Sequence, residues 1–193
     1  IMRKATRADK TRIVQILTTA FENDPQINWI TGEEPGKKER REALMSFAAE
    51  QQISKGDVYI SDDENAAAIW KNAGSRFNFH MIREYLLFTL QFGMKRINRL
   101  GKMDDEIQKR YPKKPFSYLW VLGTNLEGRG KGLSKKLMIP LLEQAEKEGR
   151  DVYLETSKEV NIAIYKKRGF EVYDQMPVEE GSDVIIYFLK KAA

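Results

Sequence analysis

The stretch that most constrains this chain is Thr124-Asn-Leu-Glu-Gly-Arg-Gly-Lys-Gly-Leu-Ser-Lys-Lys-Leu-Met138. It follows a dense apolar and aromatic run, Phe116 to Thr124, and opens a helical pattern with Leu133, Leu137, Met138, Leu141 and Leu142 on one face. A strand therefore feeds a glycine-rich turn that becomes a helix N-terminus. Gly128, Gly130 and Gly132 let the backbone turn tightly and approach a ligand without a Cβ in the way. The free N–H groups and positive end of the following helix then face an anion such as a diphosphate. Arg129, Lys131, Lys135 and Lys136 add positive charge at the same place.

Two better-known glycine motifs do not fit. A dinucleotide fingerprint starting at Gly128 and Gly130 needs glycine at 133, which is Leu133; starting at Gly130 and Gly132 it needs glycine at 135, which is Lys135. A P-loop needs Gly-Lys-Ser/Thr, and Gly132 is followed by Leu133. What remains is Arg129-Gly-Lys-Gly132-Leu-Ser134. Downstream, Gly149 marks a helix end, Asp151-Val-Tyr-Leu-Glu-Thr156 reads as a strand, and a helix over about 160–168 leads through Gly169-Phe170 into a strand over 170–175. Pro140 inside the first helix predicts a kink or break near 136–140.

These residues carry a resemblance. Arg129-x-x-Gly132-x-Ser134 resembles the (Gln/Arg)-x-x-Gly-x-(Gly/Ala) acetyl-CoA signature of the GNAT-type N-acetyltransferases, with Ser134 in the last small position. Tyr165, four residues before Gly169-Phe170, resembles the family's second hallmark. The resemblance is specific over 116–173. It implies the acyl-CoA N-acyltransferase fold: a single α+β domain over 1–193, three-layered, with a twisted mixed sheet of six or seven strands flanked by helices. The acetyl-CoA core would span about 116–175. It also implies transfer of an acetyl group from acetyl-CoA to an amine. Backbone groups of Leu122, Gly123 and Thr124 would bind the pantetheine arm, and N–H groups of Arg129, Gly130, Lys131, Gly132, Leu133 and Ser134 the diphosphate. Tyr165 would protonate the departing thiolate, the alternative being a core tyrosine. Asn161, one turn before Tyr165, would meet a pantetheine amide, although many relatives carry their Asn where this chain has Lys158.

The base is left open among three carboxylates: Glu155 at the end of its strand, and Glu22 and Asp24 before Pro25. Glu22, Asp24 and Trp29 lie in a segment that resembles the acceptor border of the family, where the acids would also serve to anchor a substrate ammonium. Trp120-Val-Leu-Gly123, Leu154-Glu-Thr156, Asn161 and Tyr165 resemble small-molecule acetyltransferases of the puromycin-acetyltransferase kind. The acceptor expected on that basis is a small amine. A CoA-binding regulatory protein without turnover and a protein N-terminal or lysine acetyltransferase are the alternatives.

The rest of the chain reads as scaffold. Ile13, Ile16, Leu17, Ala20 and Phe21 are spaced for a helix that breaks at Asn23-Asp-Pro25, and Thr6 with Asp9 resembles a capping pair. A second helix is expected over about 35–55, then a hairpin of Val58–Ser61 with Ala66–Lys71. The 72–115 segment is longer than the family minimum and too long for a structureless loop. Phe79, Ile82, Tyr85, Leu86 and Leu90 suggest one helix, Met94 and Ile97 a second, and 104–111 a third. This helical insertion would cover the acceptor side and set substrate choice, or else thicken the core or form a dimer contact. His80 and the aromatics Phe77, Phe79, Tyr85 and Phe88 read as packing or cleft lining.

Composition excludes several function classes. The 193 residues hold no cysteine and one histidine, so disulfides, thiolate or His-cluster metal sites and a Cys nucleophile are ruled out; no metal is expected. The longest apolar runs fall short of the ~18 residues of a membrane span. The net charge of +5 is spread over helix faces and the glycine loop, so a CoA phosphate partner explains part of it and nucleic acid is not expected. A cytoplasmic monomer or homodimer that starts at Met2 is the expectation.

Overall fold

The computed structural model describes residues 2–72 and 81–193, with side-chain detail for all of these except Asn72 and residues 81–84. His80, Phe77 and Phe79, singled out above, lie outside the described residues, as does the side chain of Ile82. The elements in chain order are β1 (Met2–Lys4), α1 (Lys10–Ala20), α2 (Pro25–Thr31), α3 (Lys37–Ile53), β2 (Val58–Ser61), β3 (Ala66–Asn72), α4 (Met81–Phe92), α5 (Met94–Gln108), β4 (Ser117–Thr124), α6 (Leu133–Lys147), β5 (Val152–Thr156), α7 (Glu159–Lys166), β6 (Glu171–Pro177) and β7 (Ile185–Lys191). A short 3-10 turn, Arg7–Asp9, precedes α1.

The strands form one seven-stranded sheet in the order β1-β2-β3-β4-β5-β7-β6. Among the described residues only β4 and β5 run parallel, and every other neighbouring pair is antiparallel. Helices cover both faces, which makes the mixed three-layer α+β fold. On one face Leu133, Leu137, Met138, Leu141, Leu142 and Ala145 of α6 pack on Trp70, Leu119, Leu154 and Leu189. On the other, Ile13, Ile16 and Leu17 of α1 and Met45, Ala48 and Ala49 of α3 pack on Ile60, Ala67, Ile69 and Val121. Ile13, Ile16 and Leu17 are fully buried, each worth roughly 1.5–3 kcal/mol over the exposed side chain. A third cluster joins Phe88 and Phe92 of α4 and Met103 and Ile107 of α5 to Ile186 and Phe188 of β7. The insertion thus packs over the β6–β7 end of the sheet.

Three local expectations change. Pro25 ends one helix and also begins another: Asp24 caps α2 by accepting from the Ile27 N–H at 3.0 Å, with Pro25 at its first position, where the missing N–H costs nothing. The two helices expected over 94–111 are one, α5, because Met103 and Ile107 continue a buried face past Gly101. Finally, α6 runs unbroken through Pro140. That proline is on the exposed side of the helix, where water can satisfy the Lys136 carbonyl it leaves without a donor. The strand β7 lies between β5 and β6 and was not read as an element from the sequence.

Candidate active site

The parallel neighbours β4 and β5 are paired only at Ser117↔Val152 and Tyr118↔Tyr153. Beyond that point β4 continues to Thr124 along β3, and β5 continues to Thr156 along β7. Trp120 is the extra residue of a bulge: Ile69 pairs with Val121 and Trp70 with Leu119. A bulge bends its strand and raises the local twist, and the two strands part from this point onward. The β5 side of Leu122, Gly123 and Thr124 therefore faces no strand.

A cavity of about 420 Å³ lies against the parting. Its walls come from both halves of the chain: Asp24 and Ile27 beside α1, Phe47 of α3, Tyr85 and Phe88 of α4, Met103 and Asp104 of α5, Tyr118 to Leu122 of β4, and Glu155, Asn161 and Tyr165. Phe47 stacks on Phe88 with centroids 4.8 Å apart, and Phe88 meets Phe92 at 4.3 Å, which gives the far wall an aromatic surface. Lys71, on the near wall, sits 5.1 Å from the Trp120 ring centroid.

Glu155 is paired with Phe188 across β5–β7, so its side chain points to the face covered by α5. Its Oε1 accepts from the Tyr118 phenol at 2.8 Å and its Oε2 from the Tyr111 phenol. Burial pushes this carboxyl above the usual range, the two phenols oppose that, Asp104 adds to it and Lys71 works against it. Tyr165 reaches the cavity from α7, on the opposite face, and packs edge-on against Phe170 at 5.7 Å. Burial, with a smaller contribution from Asp24, raises its phenol to about 12.

The other candidates are distributed unevenly. Asp24 lines the cavity, but its Oδ1 is committed to capping α2 and to the Ser157 hydroxyl at 3.1 Å. Ser157 Oγ in turn accepts from the Gln26 N–H, which ties the α1–α2 loop to the end of β5. Asn161 shares the cavity face with Tyr165, and its Nδ2 donates to Thr156 Oγ1 at 3.1 Å. Glu22 lies outside the lining, is exposed, and faces Arg41 at 3.9 Å. Trp29 also lies outside it: its Nε1 donates to Glu179 at 3.0 Å and Arg99 stands over its ring at 4.4 Å.

The glycine loop is pinned from beneath and open above. Asn125 is buried, accepts from the Gly128 N–H at 2.9 Å and donates to Asn65 Oδ1 at 2.9 Å, which anchors the loop to the β2–β3 turn. Gly130 and Gly132 have φ of +77° and +68°, and a Cβ on either would meet nothing within 4 Å. Gly132 precedes α6 without a side-chain cap. The Leu133, Ser134 and Lys135 N–H groups, in the first turn, have no intrahelical acceptor. Open left-handed glycines, free N–H groups and the exposed cations Arg129 and Lys131 fit an anionic diphosphate. The parted strand edge fits the thin arm that joins it to a thioester. The residues present therefore suit acetyl-CoA. Among the described residues no cluster of His, Asp or Glu is placed to hold a metal ion, and no helix is long and apolar enough to cross a membrane.

Sequence reasoning did not single out Tyr111, Tyr118, Asp104, Lys71, Ser157 or Asn125. Only Asn125 had a local signal, an Asx turn three residues before a glycine. The others reach the site through pairings distant in sequence.

Comparison with known proteins agrees with this geometry. The sequence model of the acetyltransferase (GNAT) family matches residues 93–170. An uncharacterized N-acetyltransferase of Schizosaccharomyces pombe is 27% identical over an alignment of 180 positions covering 86% of this chain and 72% of that protein. Among solved structures, an acetyltransferase from Corynebacterium glutamicum described as histone acetyltransferase HPA2 and related superposes with a TM-score of 0.71 at 22% identity, covering 100% of this chain and 96% of that one. Arylalkylamine N-acetyltransferase 2 of Aedes aegypti gives 0.66 at 15% identity over 100% and 98%. The polyamine N-acetyltransferase of Drosophila melanogaster gives 0.65 at 10% over 100% and 99%. Motifs, fold and relatives point the same way: residues 93–170 match the acetyltransferase (GNAT) family, and the whole chain shares the fold of the solved acetyltransferases it resembles.

Proposed function

We propose that this chain moves an acetyl group from acetyl-CoA to the primary amine of a small molecule, by direct attack of the amine on the thioester. One observation carries the reading. Glu155 and Tyr165 come from opposite faces of the sheet and line one cavity where β4 and β5 part. A proton acceptor and a proton donor are thereby separated as the reaction requires. Acetyl-CoA supplies the activated acetyl group; the chain supplies binding and proton movement. Backbone groups of Leu122, Gly123 and Thr124 hold the arm and polarise the carbonyl. N–H groups of Gly130, Gly132, Leu133 and Ser134 hold the diphosphate, those of Arg129 and Lys131 being turned instead to the Leu126 and Gly128 carbonyls at 3.3 Å each, and Asn161 assists beside Tyr165. Glu155 takes the proton that makes the acceptor a neutral amine; as the C–N bond forms and the C–S bond breaks, Tyr165 gives its proton to the departing sulfur and the surplus proton left on nitrogen restores the phenol.

A small acceptor is favoured by the cavity itself. Its 420 Å³ is within the range of small-molecule sites, and α4 and α5 wall the side on which an extended chain would lie. Asp24, Asp104 and Glu155 outnumber Lys71 on its walls and attract an ammonium, while Phe47, Tyr85 and Phe88 suit an apolar body. Relatives named for arylalkylamines and polyamines use acceptors of this chemistry. The test is a free-thiol assay with acetyl-CoA over arylalkylamines, polyamines, aminoglycosides and peptides. Thiol release with an acetylated small amine is expected. Tight acetyl-CoA binding with no turnover across the panel, or turnover of peptides only, overturns the reading.

A further inference from the structure

The Glu155 carboxylate is not a lone acid at the end of a strand. Each of its oxygens accepts from a different phenol, Tyr118 on Oε1 and Tyr111 on Oε2. Tyr118 stands on β4 at the last pair before the strands part, opposite Tyr153. Tyr111 follows α5, in the segment that returns the insertion to the sheet. Its ring is gripped on several sides: stacked on Phe116 at 5.3 Å and 14°, and edge-on to Tyr118, Tyr153 and Phe188 at 5.4, 5.7 and 6.3 Å. A ring so enclosed is held in place, so its hydroxyl oxygen stays within reach of Glu155 Oε2. Glu155 and Tyr118 line the cavity and Tyr111 does not. One phenol thus holds the carboxylate from behind while the other faces the acceptor space with it.

We propose that Tyr111 and Tyr118 are positioning residues that clamp the Glu155 carboxylate toward the cavity and hold it in its charged form. Burial alone favours the neutral acid, and two donated hydrogen bonds to a carboxylate favour the anion. The other charged or titratable groups around it are Asp104 of α5, which disfavours the anion, Lys71 of β3, which favours it, and Tyr173 of β6. Both clamp phenols are themselves pushed well above their ordinary range by burial and by Glu155, so they stay protonated and remain donors throughout the working pH range. Because Tyr111 belongs to the segment leaving α5, the helix that walls the acceptor space also fixes the state of the proton acceptor. The clamp rests on the proposed role of Glu155 for its purpose, but its physical effect does not.

The test separates the two. Tyr111→Phe and Tyr118→Phe each remove one hydroxyl and keep the ring. The titration midpoint of Glu155 is followed in the resting protein by the carboxyl carbon signal of ¹³C-labelled glutamate, assigned with Glu155→Gln. Loss of one hydrogen bond to the charged form is expected to raise that midpoint by about one pH unit in each variant. A midpoint unmoved in both, in folded variants with wild-type near-ultraviolet circular dichroism, overturns the clamp. If a variant does not fold, the other decides. The acid limb of kcat/KM reports separately on the role of Glu155: it should move with the midpoint. A midpoint that moves while the acid limb stays leaves the clamp standing and removes Glu155 as the base.

Discussion

Gly123 of β4 and Ala20 of α1 meet with no room for another atom: a Cβ on Gly123 would stand 2.5 Å from Ala20 Cβ, and 3.3 Å from Leu17 and Phe21. The first helix therefore sits directly on the strand whose far edge is open to the cofactor. Gly123→Ala should push α1 off the sheet and cost about 2 kcal/mol or more, a fall in Tm of about 4–8 °C for a chain of this size. Ala20→Gly in the same molecule removes the clashing atom and should recover part of the loss, net of the helix cost of glycine. Thermal unfolding of the two singles and the double checks this. Additive losses in the double would mean that the contact is not the cause.

The glycines of the loop should divide by role. A Cβ on Gly128 would come within 2.9 Å of the Asn65 carbonyl oxygen and of Leu133 Cδ1, so Gly128→Ala should lower Tm. Gly132 has open space around it, and Gly132→Glu puts bulk and negative charge where the diphosphate would lie. Its acetyl-CoA affinity by calorimetry should fall at least tenfold, with a smaller fall in Tm set by its left-handed φ. Wild-type affinity in folded Gly132→Glu would remove the loop as the diphosphate site.

Tyr165→Phe tests the proton donor. Turnover should fall by about 10²-fold with acetyl-CoA affinity little changed, the pattern of an interaction made only in the transition state. Because the phenol is raised to about 12, it stays protonated in any practical assay, and the wild-type rate should show no alkaline fall from this group below about pH 11. Near-normal turnover would return Tyr165 to the core role that its contact with Phe170 also suits.

The parts of the site readable from sequence are those built from neighbours in the chain. The strand–glycine loop–α6 unit is local, and Gly132, Leu133 and Ser134 stand where the motif puts them. Tyr165 and Asn161 share a face because helical spacing alone requires it. The Glu155 environment was not readable, since its phenol partners are 37 and 44 residues away and meet it only through parallel pairing and the insertion's return. The helix α2 was hidden because Pro25 signals a stop as well as a start, and β7 because its place between β5 and β6 is a matter of sheet order. Trp29 was drawn into the acceptor border by sequence position, whereas its indole is engaged by Glu179 and Arg99 on the outside.

Glu155 should also leave a mark on stability, with a sign opposite to that of most acids. Its folded-state carboxyl is raised, chiefly by burial, so between the unfolded value near 4.3 and the folded value the native state holds more protons than the unfolded chain. Stability from this group is therefore full at low pH and declines as pH rises through that window. Glu155→Gln removes the buried charge and keeps an acceptor for one phenol. Its Tm relative to wild type should be higher at pH 8 than at pH 4, while acetyl transfer at pH 8 falls by at least about 10²-fold. Scanning calorimetry at the two pH values, paired with the thiol assay, measures both. A Tm difference that does not change with pH would mean that Glu155 is ionised as easily in the fold as out of it. The case for a base tuned by burial would then fail.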